Sequence, residues 1–351
     1  MDNNRFIGFT LIMLLILTYY TFFPPGQIQE YENVPQTNDK EELVNNLESE
    51  IKEVEEILNQ EFSSKEKEQI ISIENNILKV DFNTKGAKIT NVILNDYYDS
   101  ENKNVELFNN SGNINFKING SDDLNLDNII FFNSISKSDE KNTITFNAIS
   151  ENGKKITVQY ILKNDSYLIE SKILLNDYFL GNESVLLTWV NTLKHQESNS
   201  TNEKNQTRIN FFNVDGDFDY TSATSTDNEE IKVEEKLKWI SNKQQFFSSA
   251  ILSNNTFNNS KLKSEYIEDE NINKKFTIKT EIPIENNSIT YQYYFGPNKY
   301  SILKNIENEF HNNLYLGWIG VGGFNRYIIV PIFNFLENIT SNYGLIILFM
   351  V

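Results

Sequence analysis

Between Ile70 and Phe295 the chain is written in short segments in which apolar and polar residues alternate, separated by Asn, Gly, Asp and Ser. Successive side chains of a strand point to opposite faces, so a period of two buries one face and leaves the other in water. ILKVDF (77–82), KITNVIL (88–94), INFKI (114–118), TITFNA (143–148), KITVQYIL (155–162), YLIESKIL (167–174), SVLLTWV (184–190), FFSSAIL (246–252), Lys275–Thr280 and Ile289–Phe295 follow this rule. Their Ile, Val, Phe and Tyr suit a pleated, half-buried surface. So many strands in one unbroken region predict a mainly β protein, a large antiparallel sandwich of two packed sheets. No helical pattern of comparable length interrupts them, which argues against a doubly wound parallel sheet, and there is no internal repeat.

The two ends of the chain have a different character. Phe6–Phe23 holds eighteen residues without a charge. As a helix they would rise about 27 Å, close to the roughly 30 Å of a bilayer core. The run ends in Tyr19, Tyr20, Phe22 and Phe23 and then Pro24 and Pro25, rather than in the small residues of a cleavage site, so a retained transmembrane anchor is expected over 1–23. Arg5 precedes it and Glu30, Glu32 and Asp39 follow, which keeps the amino terminus in the cytoplasm. Residues 24–69 read as an acidic linker. Within it Leu43, Leu47, Ile51, Val54, Ile57 and Leu58 share one face of an expected helix from Asn38 to Phe62, capped by Asn38 or Asp39. That helix reads as resting on its own domain rather than as a partner-binding coil, since a sustained coiled coil needs more heptads.

The sandwich is expected over 70–310 and an amphipathic helix region over 314–340. In Phe324–Ile339, Ile328, Ile329, Ile332, Phe333, Phe335 and Leu336 are set against Asn325, Arg326, Asn334, Glu337 and Asn338. Charges at both ends and Pro331 inside favour a helix lying in the headgroup layer over a full span. Residues 341–351, with the apolar run Leu345–Val351, read as the start of a second transmembrane helix that the sequence does not complete.

Little in the sequence points to catalysis. A net charge of −18 argues against nucleic acid and against broad contact with anionic lipid. With no cysteine there is no disulfide, thiolate metal site or cysteine nucleophile. The two histidines, His195 and His311, stand in no metal-ligand spacing and read as surface or internally satisfied residues. No nucleophile elbow or phosphate loop occurs, and Gly317, Gly320, Gly322 and Gly323 read as bends near a membrane surface. Asp215-Gly216-Asp217-Phe218-Asp219 lacks the oxygen count and glycine position of a calcium loop and reads as a plain turn. Glu197–Gln206 and Thr221–Glu230 are polar and expected to be exposed, mobile loops. No catalytic, cofactor-binding or metal residue is assigned, and no cofactor is expected.

Three blocks nevertheless form a joint pattern. Trp239–Ala250 (WISNKQQFFSSA), Tyr294–Leu303 (YFGPNKYSIL), and Leu316-Gly317-Trp318 leading to Pro331–Phe335 and Asn342-Tyr343-Gly344 resemble, in order and spacing, the YidC membrane-protein insertases of double-membrane bacteria. The anchor and Ile77–Tyr97 fit as well. The resemblance covers essentially the whole chain. It implies an inner-membrane anchor, a periplasmic β-supersandwich, an interfacial helix and then a five-helix core. It also implies a function without nucleotide or metal: assisting insertion, folding and assembly of integral inner-membrane proteins, alone or with the Sec translocon. The partners implied are nascent membrane proteins, the Sec translocon with its accessory proteins, and the lipid bilayer. The arginine of the family's polar groove is expected beyond Val351, and Arg326 is not its equivalent. The competing reading is a membrane-anchored periplasmic β-sandwich that binds glycan or peptide.

Overall fold

A computed structural model describes residues 67–118, 124–149, 155–175, 184–222, 228–314, 323–340 and 342–350. The expected anchor, the helix from Asn38 to Phe62 and the bends at Gly317, Gly320 and Gly322 lie outside the described residues. The first sheet is a meander of β1 (Ile70–Glu74), β2 (Leu78–Asn83), β3 (Lys88–Tyr98) and β4 (Asn104–Phe108). The larger body follows with β5 (Asn113–Ile118), β6 (Leu124–Asn125), β7 (Phe132–Lys137), β8 (Lys141–Ile149), β9 (Lys155–Lys163) and β10 (Leu168–Leu174). It continues through β11 (Ser184–Lys194), β12 (Arg208–Asn213), β13 (Phe218–Tyr220), β14 (Glu229–Val233), β15 (Leu237–Lys243), β16 (Phe247–Glu265), β17 (Ile272–Pro283) and β18 (Ser288–Pro297). Every pairing among these strands is antiparallel.

One strand makes the two layers a single unit. The first part of β16, Phe247–Leu252, pairs with β15 and β18, whereas Asn258–Glu265 pairs with β17 and β14. Between and beside these parts Thr256 and Asn259 take left-handed φ values of 70° and 50°. A β-branched residue there is strained, and the Thr256 hydroxyl donates to Asn258 Oδ1 at 3.1 Å across the bend. The kink passes the strand from one layer to the other, as bulges do at sheet corners.

The alternation seen in the sequence is the alternation of burial. In β11 Val185, Leu187, Trp189 and Leu193 are buried while Leu186, Thr188 and Val190 are half-buried. Trp189 meets Tyr293 of β18 edge-on at 5.8 Å, and Phe116 of β5 meets Tyr291 at 5.3 Å, so the aromatic rings interdigitate across the layers. The small sheet joins the same core: Phe82 lies 4.8 Å from Tyr160 of β9, whose hydroxyl donates to Ala87 O at 2.8 Å.

Of the two segments expected to be exposed loops, the first is exposed over most of its residues and the second over part of its described ones, but both carry ordered elements, and 223–227 lie outside the described residues. Residues 200–206 form a helix, α1 (Ser200–Gln206), with Glu203 only 1% exposed. Thr221 is fully buried, with its hydroxyl accepting from Ile209 N, and Glu229–Val233 forms β14 on the edge of β16. Both segments lack apolar anchors, and polar side chains turned inward fix them instead. The packed region runs past residue 310: after α2 (Tyr300–Leu303), a 3-10 turn at Phe310–Asn313 buries Phe310 and Asn313 completely.

The carboxy-terminal part forms helices where the sequence places them. A π-helical turn, Asn325–Ile329, runs into α3 (Val330–Ile339), and α4 (Tyr343–Met350) follows. Pro331 does not break the helix. It lies in the first turn of α3, after the wider turn, where its missing N–H costs little. Among the described residues no helix is long and apolar enough to cross a membrane.

Candidate functional site

The blocks WISNKQQFFSSA and YFGPNKYSIL are far apart in sequence and meet in space. The first supplies β15, a tight turn at Gln244–Phe246 and the start of β16; the second supplies the end of β18 and the chain leaving it. That departing chain, Asn298–Leu314, lies as a strap over the outer face of β12, β15, β16 and β18. Trp239 and Phe212 stack there at 5.6 Å, and Phe310 of the strap meets Trp239 edge-on at 5.3 Å and Tyr294 at 5.1 Å. With Leu252, Leu303 and Ile306 they make a second buried cluster, separate from the main core.

A chain of amides fixes the strap at both ends. Asn298 Nδ2 donates to Gln244 O at 2.9 Å and Phe247 O at 3.1 Å, and its Oδ1 accepts from Ser248 Oγ at 2.6 Å. Asn313 Nδ2 donates to Ser248 Oγ at 2.9 Å, while Asn210 Nδ2 donates to Asn313 Oδ1 at 3.0 Å. The Trp239 indole N–H reaches Asn308 O at 3.0 Å. Buried polar groups of this kind stabilise only the one arrangement that satisfies them, which is why a strap of modest apolar content has a single position. Gly296 is dictated by close approach: a Cβ there would come within 2.8 Å of the Tyr167 ring and of the Tyr294 hydroxyl. That hydroxyl donates to Pro297 O at 2.6 Å, and burial pushes its pKa well above the usual tyrosine range, so it remains a donor.

Beside the turn sits a second lock. Glu203 of α1 accepts His195 Nδ1–H at 2.8 Å, the backbone N–H of Gln196 at 3.1 Å and of Glu197 at 3.3 Å, and Gln244 Nε2 at 3.4 Å. Gln244 thus joins the carboxylate to the strap, since its own carbonyl is the acceptor for Asn298. Lys243 Nζ donates to that same carbonyl at 3.2 Å. Burial, and secondarily the neighbouring Arg208, push the Lys243 ammonium down to about 8. Lys274, donating to Thr207 O at 2.9 Å, is also held at about 8 by burial. Within the strap, next to Asn298, Lys299 Nζ meets Glu337 of α3 at 2.7 Å and so ties the strap to the terminal helices.

The residues weighed from sequence fall in separate places. His195 is satisfied by Glu203, and His311 lies in the 3-10 turn with its ring 6.0 Å from Tyr300. Asp215, Asp217 and Asp219 belong to the hairpin between β12 and β13: Gly216 takes φ +97°, Asn213 Oδ1 accepts from Asp217 N at 2.7 Å, and Asp219 Oδ1 accepts from Tyr220 N. Arg326 lies in the π-helical turn. Among the described residues no group of three or more His, Asp or Glu is placed to hold a metal ion. Sequence reasoning missed Glu203, Asn298 and Asn313. Nothing in their sequence neighbourhood marks them as buried, although Asn298 lies inside a block singled out for its resemblance.

The sequence model of the YidC periplasmic domain matches residues 70–334, which takes in both sheets, the strap and part of α3. The chain belongs to the YidC family. It is similar to the membrane protein insertase YidC of Azobacteroides pseudotrichonymphae genomovar. CFP2, at 30% identity over all of this chain and 60% of that protein. It is similar also to the membrane protein insertase YidC of Amoebophilus asiaticus (strain 5a2), at 27% identity over all of this chain and 62% of that one. A crystal structure of an active YidC insertase with its first transmembrane domain resolved aligns with 82% of this chain and 54% of its own, at 16% identity and a TM-score of 0.37. The chain therefore spans about 60% of the length of these YidC relatives. Two of the three blocks that carried the resemblance, Trp239–Ala250 and Tyr294–Leu303, contribute to the strap and its receiving face.

Proposed function

We propose that this chain serves a membrane protein insertase, assisting the insertion, folding and assembly of integral inner-membrane proteins, alone or with the Sec translocon. The observation that carries this reading is the family match over residues 70–334, running without a break from the sandwich through the strap into α3. In this reading the sandwich stands in the periplasm, residues 1–23 anchor it with the amino terminus in the cytoplasm, and α3 lies on the periplasmic membrane face. The work is physical rather than covalent. A polar path through the bilayer lowers the desolvation cost that charged segments of a client meet in hydrocarbon, and the strap holds the sandwich in a fixed place relative to that path.

The test uses inner-membrane vesicles from an insertase-depleted strain, carrying the chain fused in frame to the carboxy-terminal part of a relative. Integration of a small client is read by protease protection. Restored integration is the expected result; a fusion that is made, folded and membrane-bound yet leaves the client unprotected refutes the reading.

A further inference from the structure

The turn that receives the strap carries a large apolar residue at its tip. Phe246 is 51% exposed, while its neighbour Phe247 is buried. Beside it ends β3, where Tyr98 is 60% exposed and Tyr97 packs edge-on against Phe247 at 5.4 Å. Two exposed rings thus flank an aromatic pair in which Phe247 is buried and Tyr97 half-buried. The same turn accepts Asn298 at Gln244 O and Phe247 O, and the next residue, Lys299, reaches Glu337 of α3. The rings therefore lie at the end of the sandwich from which α3 and α4 continue.

Those helices expose apolar side chains of their own. Tyr327 and Ile328 are exposed on the π-helical turn, Ile332, Phe335 and Ile339 along α3, and Leu345, Ile347, Leu348 and Phe349 along α4. Aromatic side chains with one apolar and one wet side are favoured at the boundary between water and lipid. We infer that the Gln244–Phe246 turn, with Tyr98 beside it, rests on the phospholipid headgroup layer, so that the sandwich touches the bilayer through its own residues. The inference rests on the reading of α3 as a membrane-surface helix. The occupant is a lipid surface because the large side chains described as exposed on α4 are all apolar, and α3, which precedes α4, is tied by Glu337 to Lys299 beside the turn.

Depth follows from the neighbouring charges. Asp99, Glu101 and Lys103 form the turn beyond Tyr98, with the Lys103–Glu101 pair at 2.6 Å and most of both side chains in solvent. Charges are strongly disfavoured in the hydrocarbon core, so the contact stops at the headgroups.

The chain has no cysteine, so single substitutions Phe246→Cys, Tyr98→Cys, Phe335→Cys and Ile149→Cys each take one nitroxide label. Ile149 is the control: it is 45% exposed and lies at the end of β8 beyond Ser288, whereas Phe247 pairs with Pro297, the other end of β18. Ten residues of β18 separate the two ends, about 30 Å at strand rise. The labelled full-length chains are reconstituted in vesicles of phosphatidylethanolamine and phosphatidylglycerol in equal parts. Collision with oxygen is compared with collision with a water-soluble nickel chelate, after circular dichroism has confirmed the fold of each. Labels at 246, 98 and 335 are expected to show an oxygen-to-nickel ratio several-fold above that at 149. A ratio at 246 equal to that at 149, with 335 high, overturns the inference and leaves the proposed function standing. A ratio at 335 equal to that at 149 removes the membrane-surface helix, and the inference falls with it.

Discussion

Replacing Glu203 with alanine tests whether a carboxylate, rather than an apolar anchor, holds the segment from His195 to Thr207 in place. Glu203 is 1% exposed and accepts from two backbone N–H groups, an imidazole and a side-chain amide. Alanine leaves the Gln196 and Glu197 amides without that acceptor in a place where water does not readily replace it. Each buried unsatisfied donor costs about 1–3 kcal/mol, and the loss of the His195 and Gln244 contacts adds to this. The expected destabilisation is about 3–5 kcal/mol. For a domain of this size about 2–4 °C is lost per kcal/mol, so the melting temperature should fall by roughly 10 °C in calorimetry at neutral pH. Glu203→Gln keeps a carbonyl acceptor of the same shape and should lose about half as much. A fall of less than about 2 °C for the alanine variant would refute the argument. So would an equal fall for alanine and glutamine, because the cost would then not come from orphaned donors.

Other consequences are more quickly stated. Gly296→Ala forces a methyl against Tyr167 and the Tyr294 hydroxyl and should cost about 1–3 kcal/mol by urea denaturation, whereas Gly216→Ala, with open space around it but φ +97°, should act only through backbone strain. Lys243 is depressed in the fold to about 8 from its ordinary 10.5. Between those pH values the unfolded chain binds more protons than the folded one, so stability rises with pH through that window. Lys243→Met should therefore raise stability at pH 7 by about 1–3 kcal/mol and flatten part of the rise. Destabilisation by this substitution, measured over the same pH series, would contradict it. Trp239→Phe removes the donor to Asn308 O and part of the clamp on Phe310, so trypsin should cut after the exposed Lys304 faster than in the unsubstituted chain, while sites in the main sandwich keep their protection.

The sheet architecture was legible because it follows from a local rule. Alternation with period two, repeated in KITVQYIL and SVLLTWV, fixes which face of each strand is apolar, and burial of that face requires a partner sheet. Two strands that the alternation did not mark, β12 and β15, are places where the rule fails: Ser241, Asn242 and Lys243 are buried in succession, on both faces of β15. There burial comes from tertiary neighbours on each side, which no window of sequence contains. The inward anchors of the polar segments 197–206 and 221–230 were not legible for the same reason. Their anchors, Glu203 and Thr221, bond to groups whose positions are set by other strands.

Sequence alone determined that this chain would build antiparallel sheets with wet and dry faces, carry apolar helices at its carboxy-terminal end, and share three blocks with the YidC family, WISNKQQFFSSA and YFGPNKYSIL among them. Those properties depend on residue order within a few positions. The fold alone decided that the two blocks close on each other, that Asn298, Ser248, Asn313 and Asn210 form one line of hydrogen bonds, and that Lys299 reaches α3. The physical reason is that a hydrogen bond needs its partner within about 3 Å, and the partners here lie tens of residues apart until β16 bends and β18 pairs beside it.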